Sequence, residues 1–257
     1  MKIAQLRKIL KEGGNVFKDP AGELKTRKVT KAEVFSTVKL LEKILEMPLL
    51  DNMLGSTGVA LESGDIDLVI DENQISKDEL RDKILACEAV QQFMASSKLS
   101  ASDILAHSGI TLHFMFPVGG DESTGFVQVD FMLHKDPSWL KFSLGLGGLN
   151  SEFKGVHSQQ ILASIAKTKD LKWSFLKGLL NRETNEVVSK DPDKIAKLLL
   201  GKNATKDDLQ TVEDILIAIR KDPAAPEMLV DFMHNLQQNE PELEKIAKSI
   251  LVKPNLN

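Results

Sequence analysis

Asp65 and Asp67 stand two residues apart inside the apolar run Asp65-Ile66-Asp67-Leu68-Val69-Ile70. On a β-strand successive side chains alternate faces, so both carboxylates project from one side. At about 5–7 Å apart, two such charges repel unless a cation sits between them. The pattern reads as a hard-metal site, with Mg²⁺ the expected ion and Mn²⁺ a substitute. A Gly55-Ser56 turn precedes the acids by eight intervening residues. Glycine lets backbone approach a ligand closely, and exposed N–H groups beside a serine hydroxyl hold phosphate oxygens. A phosphate-holding turn feeding a metal-holding strand is what phosphoryl or nucleotidyl transfer requires. The bland alternative is a solvated hairpin with two incidental acids, and the strand is too apolar for it.

The order Gly-Ser, short spacer, Asp-h-Asp-h (h apolar) resembles the signature of the nucleotidyltransferase superfamily typified by DNA polymerase β. That superfamily takes a third carboxylate from a neighbouring strand. Asp130 is the candidate, in Gly125-Phe126-Val127-Gln128-Val129-Asp130-Phe131-Met132-Leu133, 63 residues after Asp67. The segment is rich in β-formers, and an ionised carboxylate among large apolar side chains is costly unless paired or metal-bound. The resemblance covers residues 48–134.

It implies a metal-dependent nucleotidyltransferase that moves a nucleoside monophosphate from a nucleoside triphosphate to a hydroxyl, releasing pyrophosphate. Asp65 and Asp67 would hold two Mg²⁺ ions bridging the triphosphate. Asp130 would bind the ion facing the acceptor and help deprotonate its hydroxyl. Gly55 and Ser56 would hold the β and γ phosphates. Superfamily members often place arginine shortly after Gly-Ser, where this chain has Val59 and Ala60. Phosphate charge would then fall more heavily on metal, backbone N–H groups and later lysines. The acceptor stays open: RNA, a protein side chain, a small molecule or a second nucleotide. A catalytically silent binding or assembly protein on the same fold is the alternative, although all three acids are present.

From Lys135 to Lys190, nine basic residues face five acids, a local +4 in a chain of net charge −4. Countercharge of this kind suits a polyphosphate, with Lys154 the expected nucleotide ligand and Phe153, His157 and Trp173 a stacking face for a base. Gly13-Gly14-Asn15-Val16-Phe17 and Phe153-Lys154-Gly155-Val156-His157 are also similar to segments of small phage-encoded nucleotidyltransferases, which implies a viral or mobile-element source. The five histidines lack His-x-x-x-His or paired-cysteine spacing, so zinc is not expected. His113 could share the face of Asp130 or oppose it, and each histidine reads first as structural.

The remaining features frame this chemistry. The chain of 257 residues can bury a sizeable core, and its dispersed charge gives no global field for nucleic acid. A single cysteine, Cys87, allows no internal disulfide; it falls on an expected helix as a small buried hydrophobe. The first residues show no long apolar region and no run spans a membrane, so a cytoplasmic protein is expected, in host cytoplasm if phage-encoded. No G-x-G-x-x-G stands between a strand and a helix, which excludes a Rossmann reading.

The elements follow from periodicity and caps. A basic amphipathic helix is expected over residues 2–12. Thr30-x-x-Glu33 caps a helix facing inward through Val34, Val38, Leu41, Ile44 and Leu45, and residues 49–54 read as a strand leading into the Gly-Ser turn. Ser76-x-x-Glu79 caps the next helix. Residues 110–118 and 126–133 form a hairpin. Residues 142–149 read as a flexible connection, and helices follow over 156–167, 191–200, 205–220, 224–237 and after Pro241. The expected fold class is α+β: a polymerase-β-like core with a mixed sheet and flanking helices over 1–137, then an all-α C-terminal lobe over 138–257.

Overall fold

In the computed structural model, which describes residues 15–147 and 151–252, two segments already carry their own start signals. Thr30 accepts from the Glu33 N–H while Glu33 accepts from the Thr30 N–H, and the box opens helix α1, Lys31–Leu45. Ser76 and Glu79 do the same for helix α2, Lys77–Ala86. The helix expected over 2–12 lies outside the described residues.

The chain divides into two compact units, one ending at Lys141 and one beginning at Phe142. In the first, two residues at Val29–Thr30 (β1) pair with Glu62–Ser63 (β2). The principal sheet holds four strands: Ile66–Asp71 (β3), Leu105–Ser108 (β4), Thr111–Pro117 (β5) and Phe126–His134 (β6). Their order is β3-β6-β5-β4. β3 runs parallel to β6, and the other neighbours are antiparallel, so the sheet is mixed. The expected hairpin is β5–β6.

Alternation divides this sheet into two faces. Ile66, Leu68 and Ile70 of β3 join Val127, Val129, Phe131 and Leu133 of β6 in the hydrophobic core. Val34, Val38, Leu41 and Leu45 of α1 cover them, together with Leu80 and Ile84 of α2. A continuous apolar layer of this size supplies most of the folding free energy, at roughly 25 cal/mol per Å² of apolar surface buried. The opposite face carries Asp67, Gln128, Asp130 and His113 among the apolar Val69, Met115 and Met132.

Three local expectations are corrected here. Residues 49–54 are not a strand: Leu50–Asn52 is a 3₁₀ turn, and only Met53 bridges to Leu68. Glu42 Oε1 accepts from the Leu49 and Leu50 N–H groups at 2.7 and 3.0 Å, which takes those donors away from any ladder. The second helix breaks at Cys87, extended at ψ 124, and resumes as α3, Glu88–Ser96. Cys87 is half-buried at that junction rather than inside a helix. The break lets Val90 and Phe93 reach the same core as Leu80 and Ile84. Residues 142–145 belong to helix α5, Pro137–Gly145, which follows the short α4, Ala101–Ile104. Ser143 is tied there, its hydroxyl donating to the Phe175 carbonyl at 2.8 Å.

The second unit is not all-α. Leu171–Ser174 (β7), Gly178–Asn181 (β8) and Val187–Ser189 (β9) form a three-stranded antiparallel sheet. Trp173, Leu179 and Leu180 supply a buried set with strand preference. Gly178, at φ +101, makes the turn, where a Cβ would meet the Ser189 carbonyl at 2.5 Å. The helices are Gly155–Lys167 (α6), Pro192–Leu200 (α7), Val212–Ile219 (α8), Ala225–Met228 (α9), Val230–Asn239 (α10) and Pro241–Val252 (α11). The expected helix 205–220 starts as a 3₁₀ turn at Lys206–Leu209 and restarts where Thr211 caps the Asp214 N–H. No helix among the described residues is long and apolar enough to cross a membrane.

Candidate metal centre

The polar face of the principal sheet is organised by strand register. Parallel pairing sets Asp67 of β3 beside Asp130 of β6, and antiparallel pairing sets Asp130 beside His113 of β5. Asp65, two residues before Asp67, shares its face. One carboxylate oxygen from each of Asp65, Asp67 and Asp130 lies within 4.8 Å of the other two. The sheet thus brings together all three acids that the sequence singles out.

Crowding three acids in a half-buried recess resists ionisation. Burial first, and then the Asp130 charge, push the Asp65 carboxyl up to about 6, with His113 acting in the opposite direction. Asp67 is pushed well above the ordinary carboxylate range, by burial and then by Asp65 and Asp130. Among the described residues no lysine or arginine pairs with any of the three. Three hard oxygens in mutual repulsion and without a protein cation fit a divalent metal of the Mg²⁺ type.

The Gly-Ser turn is bolted to the centre of β3. The Leu54 N–H donates to the Asp67 carbonyl at 2.9 Å, and the Asp67 N–H donates to Thr57 Oγ1 at 3.0 Å. Both backbone groups of Asp67 are therefore taken by the turn. Gly55 and Gly58 adopt φ +56 and +72, and the Ser56 carbonyl accepts from the Val59 and Ala60 N–H groups. Among the described residues, the Gly55 and Ser56 N–H groups and the Ser56 hydroxyl are unused, and both residues are exposed. These are free donors, held by Asp67's own peptide.

Thr57 was not apparent as a site element from sequence. Thr57→Val is expected to leave the buried Asp67 N–H unpaired and to cost about 1–3 kcal/mol of stability. Thr57→Ser should keep most of it. Urea unfolding of the two variants checks this, and equal midpoints would contradict the role given to the hydroxyl.

The basic segment fares differently. Lys154 belongs to the second unit, exposed at the N-terminus of α6, its N–H donating to His157 Nδ1 at 2.9 Å. His157 is buried and its Nε2 bonds Glu240 Oε1 at 3.0 Å, a structural pairing. Phe153 and Trp173 are core residues, and the indole N–H of Trp173 donates to Gln159 Oε1. The expected stacking face at Phe153, His157 and Trp173 is therefore corrected: apolar burial and internal hydrogen bonds use these rings up. Comparison of the sequence with protein-family models and with curated proteins gives no match.

Proposed function

We propose that this chain is a nucleotidyltransferase with a polymerase-β-like core, transferring a nucleoside monophosphate from a nucleoside triphosphate to a hydroxyl with release of pyrophosphate. The observation that supports it most is the convergence of Asp65, Asp67 and Asp130 beside a Gly-Ser turn whose donors are free. Asp65 just before β3, Asp67 on β3 and Asp130 on β6 would hold two Mg²⁺ or Mn²⁺ ions. When bound, such ions neutralise polyphosphate and make an acceptor hydroxyl more acidic. The Gly55 and Ser56 N–H groups and the Ser56 hydroxyl take phosphate oxygens, and Thr57 keeps them at a fixed distance from Asp67. Asp130 would bind the ion facing the acceptor through the carboxylate oxygen that His113 leaves free, and in that way help deprotonate the acceptor's hydroxyl. In the overall balance the acceptor oxygen gains the nucleotidyl group, the α–β phosphate bond breaks, and one proton leaves with pyrophosphate.

The test is incubation with each of the four α-labelled nucleoside triphosphates and Mg²⁺ or Mn²⁺, alone and with cellular RNA, protein or small-molecule extract. Label on an acceptor with stoichiometric pyrophosphate is expected for at least one combination. Metal-dependent nucleotide binding with no pyrophosphate anywhere would instead favour a binding module.

A further inference from the structure

His113 is 1 % exposed, and both its ring nitrogens are engaged. Nδ1 lies 2.8 Å from Asp130 Oδ1, and Nε2 lies 2.7 Å from Ser108 Oγ. An ionised carboxylate only accepts, so Nδ1 carries the proton and donates. Nε2 and the Ser108 hydroxyl share the second hydrogen bond, so both ring nitrogens are held in place. Ser108 ends β4 and pairs with Thr111 across the tight turn at Gly109, whose φ is +50. The chain Ser108–His113–Asp130 thus runs across the sheet from its β4 edge inward.

We infer that His113, backed by Ser108, is a positioning residue for Asp130, fixing which carboxylate oxygen that acid presents to a divalent cation. The inference rests on the metal-centre reading above and deepens it. Among the described residues, no other residue hydrogen-bonds the carboxylate of Asp65 or Asp67, Asp65 having only its own backbone N–H, whereas Asp130 has one of its two oxygens committed to a neighbouring side chain. The 4 % exposure of Asp130 and its place in the central strand β6 leave its backbone no freedom to compensate. A donor on the far side of a ligating carboxylate sets its plane and limits it to one free oxygen. Asp130 is therefore the pre-set acid of the three, and with Asp65 and Asp67 it would hold a divalent ion.

The experiment is a Mn²⁺ titration followed by electron paramagnetic resonance, which reads binding without any turnover. Far-ultraviolet circular dichroism and thermal melting without metal serve as fold controls. His113→Leu removes the donor and is expected to weaken Mn²⁺ binding by about 10–100-fold, the usual cost of losing a partner of a ligating group. His113→Asn places an amide N–H where Nδ1–H stood and should recover most of the affinity. Ser108→Ala should weaken binding severalfold and Ser108→Thr should restore it. Folded His113→Leu with wild-type affinity overturns the inference while leaving the metal centre intact. If His113→Leu does not fold, the Ser108 pair decides, and equal affinity in Ser108→Ala overturns it. Wild-type protein that binds no Mn²⁺ overturns the metal centre and this inference together.

Discussion

Asp67→Asn is expected to abolish nucleotidyl transfer while making the metal-free protein more stable. The loss should reach about 10²–10³-fold, as when one group stabilising transition-state charge is removed. The gain has a separate origin. Burial and the neighbouring Asp65 and Asp130 charges disfavour ionised Asp67, so removing that charge relieves repulsion. An amide of nearly the same shape leaves the packing of β3 unchanged, and both backbone bonds to Leu54 and Thr57 survive. A labelled-nucleotide assay and a thermal melt on the same sample check both halves. Retained transfer would remove this strand from the reaction, and a large drop in melting temperature would mean that Asp67 serves the fold instead.

A divalent metal should stabilise the wild-type protein at pH 7.5 and do so much less at pH 5. A ligand that binds only the folded state at about 100 times its Kd adds about 2.7 kcal/mol. Folded Asp65 holds its proton up to about pH 6, whereas the unfolded side chain releases it near 3.8. Between those values the folded state binds more protons than the unfolded state, so metal-free stability falls as pH rises through this window, and Asp67, raised by the same causes, adds to the fall. Protons and metal compete for the same oxygens, so the metal's effect grows over the interval in which the proton's effect is lost. Melting curves at pH 5 and 7.5, with and without Mn²⁺, read this directly. Asp65→Asn should reduce the metal-free pH dependence, and a wild-type melting temperature indifferent to Mn²⁺ at both pH values would contradict the centre.

What was legible in the sequence was short in range. The Asp65/Asp67 spacing, the boxes at Thr30/Glu33 and Ser76/Glu79 and the β5–β6 hairpin each depend on residues within one turn or one loop. Asp130 was also accessible, because an acid among Val127, Val129, Phe131 and Leu133 is chemically conspicuous. The partnership of His113 with Asp130 was not, since alternation alone left it open whether His113 shared that face. Closing the hairpin at Pro117 opposite Phe126 sets residue 113 opposite 130, so loop length was the missing signal. Thr57 and Glu42 act on backbone groups distant in sequence or out of register with any pattern, and periodicity does not report them. The sheet over 171–189 lies between long helical segments whose periodicity masks it, and Trp173, expected in a stacking face, is buried in that sheet.

The order β3-β6-β5-β4 has a consequence for how the unit is made. The hairpin β5–β6 and its neighbour β4 close through short connections, but β3 must wait until residues 126–134 have been synthesised before it meets its strand partner. That final docking is the non-local, entropically slow event in the unit. It is also the event that drives Asp65 and Asp67 against Asp130. The barrier to completing the sheet therefore contains an electrostatic part that a divalent cation or an acidic medium removes. Refolding of this protein should accordingly be a matter of ion supply as much as of temperature, with the last strand pairing held back in a chelating buffer while its apolar face stands open to other chains.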